Sequence, residues 1–70
     1  MIKILFKTNF RNEYQKQMIT PVICQIEGVK HWSIDFEDKD KILRIEGLGL
    51  NSKSIEQEII NAGFDCKILY

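Results

Sequence analysis

Few side chains in this 70-residue chain can hold a soft metal ion or pass a proton. They are two cysteines, Cys24 and Cys66, one histidine, His31, and acidic groups scattered along the length. The cysteines are far apart and form no Cys-x-x-Cys pair, and His31 has no second histidine or cysteine in step with it. The spacing of a zinc site or a redox dithiol is therefore missing. A Ser-His-Asp set, a Gly-rich phosphate loop and a carboxylate pair in an apolar setting are also missing, so the residues give no support for an enzyme.

Helical periodicity puts Cys24 opposite the Met18, Val22, Ile26 side of its helix, and strand alternation puts Cys66 inward with Phe64 and Ile68. Thiols pointing in such different directions suit neither one ion nor a disulfide. Cys66 then reads as a small core residue, Cys24 as a surface thiol, His31 as a surface imidazole and Trp32 as a core aromatic. Asn12 and Gln15 have a structural chemistry of their own. Asparagine is among the best residues at a helix N-cap, and a glutamine three positions later can reach back to the Asn12 N–H, so Asn12-Glu13-Tyr14-Gln15 has the pattern of a capping box.

These residues must be positioned by the rest of the chain. Residues 2–7 alternate, with Ile2, Ile4 and Phe6 on one face, which predicts a half-buried strand. Over 13–27, Tyr14, Met18, Ile19, Val22, Ile23 and Ile26 recur at three- and four-residue spacing and predict an amphipathic helix ended by a left-handed Gly28. Pro21 falls inside it and predicts a kink near Thr20, or else the start of a separate short helix. Residues 29–36 and 41–46 alternate on either side of the charged turn Glu37-Asp38-Lys39-Asp40, predicting an antiparallel hairpin with Trp32, Ile34, Phe36, Leu43 and Ile45 inward.

Asn51 is the expected cap of a second helix, with Leu50 and Ile55 packing as a hydrophobic staple and Ile55, Ile59 and Ala62 as its buried stripe. Gly63 closes that helix, and Phe64, Cys66, Ile68 and Tyr70 are the inward set of a last strand. Two helices with one apolar stripe each cover one face of one sheet. The expected fold class is α+β, a ferredoxin-like βαββαβ two-layer sandwich with a four-stranded antiparallel sheet and two helices on one face, formed by residues 1–70 as one domain.

Ten basic and ten acidic residues cancel, which argues against nucleic acid and against a polybasic membrane clamp. No apolar run approaches the roughly 20 residues that span a bilayer, and Met1-Ile2-Lys3-Ile4 lacks the features of a signal peptide. With two unpaired cysteines, the expectation is a cytoplasmic, reducing location. Lys3, Lys7, Arg11 and Lys16 surround the first strand and loop, whereas Glu37, Asp38 and Asp40 gather in the hairpin turn, an asymmetry able to steer a partner. On the open sheet face, Leu5, Ile42 and Leu69 sit among Lys3, Lys7, Arg44 and Lys67, where a partner or second copy could dock.

In their order and spacing, Phe6-Lys7-Thr8-Asn9, Thr20-Pro21, Glu27-Gly28-Val29 with Trp32, Ile34 and Asp35, Lys41-Ile42-Leu43 with Glu46-Gly47, and Ala62-Gly63-Phe64 resemble the heavy-metal-associated domain of copper chaperones and metal-transporting ATPases. The resemblance covers nearly the whole chain. In that family the first loop carries Cys-x-x-Cys, because Cu(I) and Zn(II) are held by anionic sulfur. Asn12 and Gln15 stand at the matching positions, and neutral amides do not replace thiolates.

The resemblance thus implies a degenerate member with no metal expected at Asn12 and Gln15 and no cofactor. Its role would be that of a protein-interaction or accessory module, and the loop residues Asn9, Phe10, Arg11, Asn12, Glu13, Tyr14, Gln15 and Lys16 are the candidate partner-binding set. The partner would be another protein, such as a related metal-handling domain, with a weak homodimer as a further option. The alternative is a genuine copper or zinc metallochaperone with non-standard ligands, Cys24 or Cys66 joined across two molecules. A third reading, a regulatory domain of similar topology binding a small molecule between subunits, requires a dimer.

Overall fold

A computed structural model describes residues 1–69, so the Tyr70 expectation falls outside the described residues. The element order is β1 (Ile2–Thr8), α1 (Glu13–Cys24), β2 (Val29–Asp35), β3 (Ile42–Gly47), α2 (Ser52–Asn61) and β4 (Cys66–Ile68). The strands form one sheet ordered β2-β3-β1-β4, antiparallel throughout. This is the ferredoxin-like sandwich expected from the alternation.

Ile4, Phe6, Leu43, Ile45 and Cys66 from the sheet and Ile19, Ile23, Ile55 and Ile59 from the helices bury their side chains together. Each fully buried aliphatic side chain contributes about 1.5–3 kcal/mol from the apolar area removed from water. Ile2, at the start of β1, is half exposed, and Ala62 lies outside the buried stripe of α2. Tyr14 and Met18, expected in the stripe of α1, are also exposed, at 70% and 52%. The stripe narrows to Ile19 and Ile23, flanked by the half-buried Val22 and Ile26.

α1 runs through Pro21 as one helix, so the chain is not split there. Just before the proline, the Thr20 hydroxyl donates to Lys16 O at 2.7 Å. The helix stops at Cys24 with Gln25 as its right-handed C-cap, earlier than the Gly28 cap expected. Gly28 serves a different purpose. It has φ +94°, and a Cβ placed there would lie 2.0 Å from Leu48 O, while one on Gly47 would lie 2.0 Å from Gly28 O. Two glycines are needed because the entry to β2 and the exit from β3 touch backbone to backbone, joined by Leu48 N–H to Gly28 O at 2.9 Å.

α2 follows its sequence signals closely. The Asn51 side chain accepts from Ser54 N at 3.0 Å. At the other end, Gly63, at φ +97°, donates to Ile60 O and Phe64 donates to Ile59 O, the paired bonds of a Schellman motif.

The two borders of the sheet differ. β4 is three residues long, and the Glu56 carboxylate of α2 accepts from Ile68 N at 3.1 Å. β2 is seven residues long, with a bulge between Val29 and His31.

Candidate functional site

At the start of α1, Asn12 is extended (φ −158°, ψ 175°), and its Oδ1 accepts from Gln15 N at 3.0 Å. Gln15 returns the favour one residue earlier than the capping-box pattern predicts: its Oε1 accepts from Arg11 N at 2.7 Å, not from the N–H of Asn12. Glu13 occupies the first turn, where a carboxylate interacts favourably with the helix dipole. Both amide oxygens are thereby committed to orphan backbone donors. Oxygen from a neutral amide suits hard cations, and neither group can deprotonate, so this pair does not fit a Cu(I) ion.

The loop before Asn12 is pinned on both sides. The Asn9 side chain accepts from Asp65 N at 3.0 Å. Phe10 is fully buried, its ring 4.8 Å from that of Phe64 and tilted by 50°. Phe10 therefore leaves the candidate partner-binding set, because its side chain anchors the loop to the core and is closed to a partner. Sequence alternation misses it because it lies beyond the end of β1 and its neighbour comes from the far end of the chain.

The hairpin turn lies beside this loop. Thr8 donates through its N–H to Asp40 O at 3.1 Å and through its hydroxyl to Lys41 O, and Lys7 Nζ lies 3.6 Å from the Asp40 carboxylate. One member of each group, Lys7 and Asp40, thus lies next to the other, so the acidic turn touches the end of the first strand. An exposed pair such as Lys7–Asp40 contributes little to stability. Lys41 sits in the left-handed region at φ 47°, held there by its N–H to Asp38 O at 3.0 Å and its ammonium to Phe36 O at 2.6 Å.

Of the remaining candidates, Asn9, Arg11, Asn12, Glu13 and Tyr14 are exposed, while Gln15 and Lys16 are half-buried. The Lys16 ammonium lies 5.8 Å from the centre of the Trp32 ring, which is itself half-buried. Tyr14 and Met18, four residues apart and both exposed, share one side of α1 next to the loop. The spacing of Met18 matches the core stripe, so the sequence alone does not mark it as a surface residue.

Cys24 is exposed and Cys66 buried, and His31 is exposed on β2. Burial, reinforced by the nearby Glu56 carboxylate, pushes the Cys66 thiol up from 9.0 to about 12. It stays protonated and unreactive at neutral pH. Among the described residues no three His, Cys, Asp or Glu side chains gather where they could hold a metal ion. On the open sheet face, Leu5 and Ile42 share a shallow depression with Lys3, Ser33, Asp35 and Arg44, and Leu69 follows beside Leu5. No helix among the described residues is long and apolar enough to cross a membrane.

No protein-family model matches the sequence, and no curated protein matches it. Solved structures do. The yeast copper transporter domain Ccc2A, studied in apo and Cu(I)-loaded states, superposes with a TM-score of 0.83 at 18% identity, covering 97% of this chain and 94% of that one. A copper binding domain from HMA7, a P-type ATPase, gives 0.83 at 19% identity over 100% and 96%. Oxidised MerP from Ralstonia metallidurans CH34 gives 0.80 at 11% identity over 99% and 97%. The chain has the heavy-metal-associated, copper chaperone-like fold.

Proposed function

We propose that residues 1–70 act as one heavy-metal-associated-like domain that no longer takes a soft metal ion in its first loop and serves as a small, non-enzymatic protein-interaction or accessory module in the cytoplasm. The observation that carries this reading is the commitment of Asn12 and Gln15, the pair at the two-thiolate spacing, to the Arg11 and Gln15 N–H groups at the start of α1. The fold shared with copper-handling domains supports a partner from that group, a related metal-handling domain. The surface offered to it is Asn9, Arg11, Asn12, Glu13, Tyr14 and the added Met18, with the half-buried Gln15 and Lys16 at its margin. Tyr14 supplies the amphipathic contact typical of interface centres, and Arg11 and Glu13 supply its charged rim.

Titration of the reduced protein with Cu(I) against a competing chelator tests the loss of the metal site. The expected result is no uptake tighter than micromolar. Stoichiometric, sub-micromolar binding would overturn it.

The exposure of Cys24 favours a second reading, a copper or zinc carrier in which thiolates from two molecules share one ion. Replacing Cys24 and Cys66 with serine abolishes uptake under that reading, and unchanged uptake excludes it.

A further inference from the structure

We infer that the β2 border is a self-association surface, on which a second copy of this chain adds its own β2 antiparallel and extends the sheet across a two-fold axis at Ser33. The hydrogen-bond phase of the sheet carries the inference. Leu69 N donates to Leu5 O at 2.8 Å, so the ladder groups of Leu5 face β4 and those of Ile4 and Phe6 face β3. Through the registers Ile4↔Ile45 and Phe6↔Leu43, the groups of Leu43 and Ile45 face β1 and those of Ile42, Arg44 and Glu46 face β2. The registers Asp35↔Ile42, Ser33↔Arg44 and His31↔Glu46 then leave the N–H and C=O groups of Trp32 and Ile34 pointing off the border. They have no acceptor or donor among the described residues. The other border is treated differently, its Ile68 N–H being taken by Glu56.

A self-paired strand must match hydrogen-bonding residues to one another and keep like faces together, which restricts the register. Centring on Ser33 meets both conditions. Trp32 of one copy then lies opposite Ile34 of the other and exchanges both N–H···O bonds with it, joining half-buried apolar side chains on the helix face. On the open face the small Ser33 side chains meet at the axis, and each His31 lies opposite the second copy's Asp35. One Asp35 oxygen already accepts from Glu37 and Asp38 N–H at 3.1 and 3.3 Å, leaving the other for the imidazole. His31 is also faced by Glu46 across β3, so it sits between two carboxylates in the pair. The bulge before His31 and the turn after Asp35 end the ladder at both sides, so centring on Ser33 pairs the longest run of residues between them. This inference is independent of whether the first loop binds metal.

Sedimentation velocity and amide hydrogen exchange over micromolar to millimolar concentrations, in reducing buffer with EDTA, test it. The expected result is a dimer that grows with concentration, with Trp32 and Ile34 amide exchange slowing in proportion. Ser33→Glu suits Arg44 within one copy but sets two carboxylates against each other at the axis, raising the dissociation constant roughly fivefold or more. His31→Lys preserves the dimer, because the lysine ammonium meets the second copy's Asp35 in place of the imidazole. A wild-type chain that stays monomeric at millimolar concentration overturns the inference. So does a dimer with unchanged Trp32 and Ile34 exchange, or one that Ser33→Glu leaves intact while its amide spectrum shows a folded chain.

Discussion

Replacing Asn12 and Gln15 together with cysteine separates the two roles those positions can play. The change removes the Asn12 Oδ1 acceptor at 3.0 Å from Gln15 N and the Gln15 Oε1 acceptor at 2.7 Å from Arg11 N. Loss of an N-cap asparagine costs about 1 kcal/mol, and loss of an exposed hydrogen bond costs roughly 0.5–1 kcal/mol more. For a domain of this size that sum lowers the melting temperature by about 10 °C in the absence of metal. The new thiolates stand one helical turn apart on a scaffold shared with Cu(I)-loading domains. Under reducing conditions, Cu(I) held at a hundredfold excess over its dissociation constant returns about 2.7 kcal/mol, enough to lift the variant above the wild type. Thermal melting by circular dichroism, with and without Cu(I), reads both effects. A metal-free variant that melts with the wild type shows that the two amides do not support the helix start. A variant that Cu(I) fails to stabilise shows that the loop backbone no longer converges two ligands, and the account of a metal site turned into a cap is then wrong.

Two further predictions concern side chains whose positions the structure revised or sharpened. Phe10→Ala empties a fully buried site against Phe64 and costs about 3–5 kcal/mol in urea unfolding, whereas Tyr14→Ala on the exposed side of α1 changes stability by no more than about 0.5 kcal/mol; equal effects would contradict the packing described. Because the folded Cys66 thiol is raised to about 12 from 9.0, the unfolded chain loses that proton first. The contribution of Cys66 is therefore fully present below pH 9.0 and is lost as pH rises toward 12. Cys66→Ala should flatten that part of the stability-against-pH curve, and a curve parallel to the wild type would show that burial does not hold the thiol neutral.

Strand alternation and helix-end chemistry act locally, so the sequence revealed them well. Asn12, Asn51 and Gly63 each announce a helix boundary through bonds to residues within four positions. Local patterns carry no signal where distant parts of the chain meet. Phe10 belongs to the core because Phe64 comes back to cover it, and no local period signals that return. Tyr14 and Met18 satisfy the helical period, yet they stay exposed, and only Ile19 and Ile23 of α1 are fully buried. Gly28 resembled a helix cap, but its φ is set by the close approach of Gly47 and Leu48 across the sheet. Lys7 and Asp40 meet only through the antiparallel pairing of β1 with β3. At the candidate site itself, the missing thiols and the capping role are legible, whereas the donor that Gln15 serves is not, since reach to Arg11 N or Asn12 N differs by one residue.

The Glu56 carboxylate on Ile68 N–H has a consequence for how many copies can assemble. A sheet with two receptive margins is a monomer in the polymer chemist's sense, able to add neighbours at both ends without limit. Here α2 occupies a donor on one margin, and a two-fold pairing would use up the other. Growth by strand addition would then stop after a single step. A concentrated solution of this chain should hold pairs and not filaments.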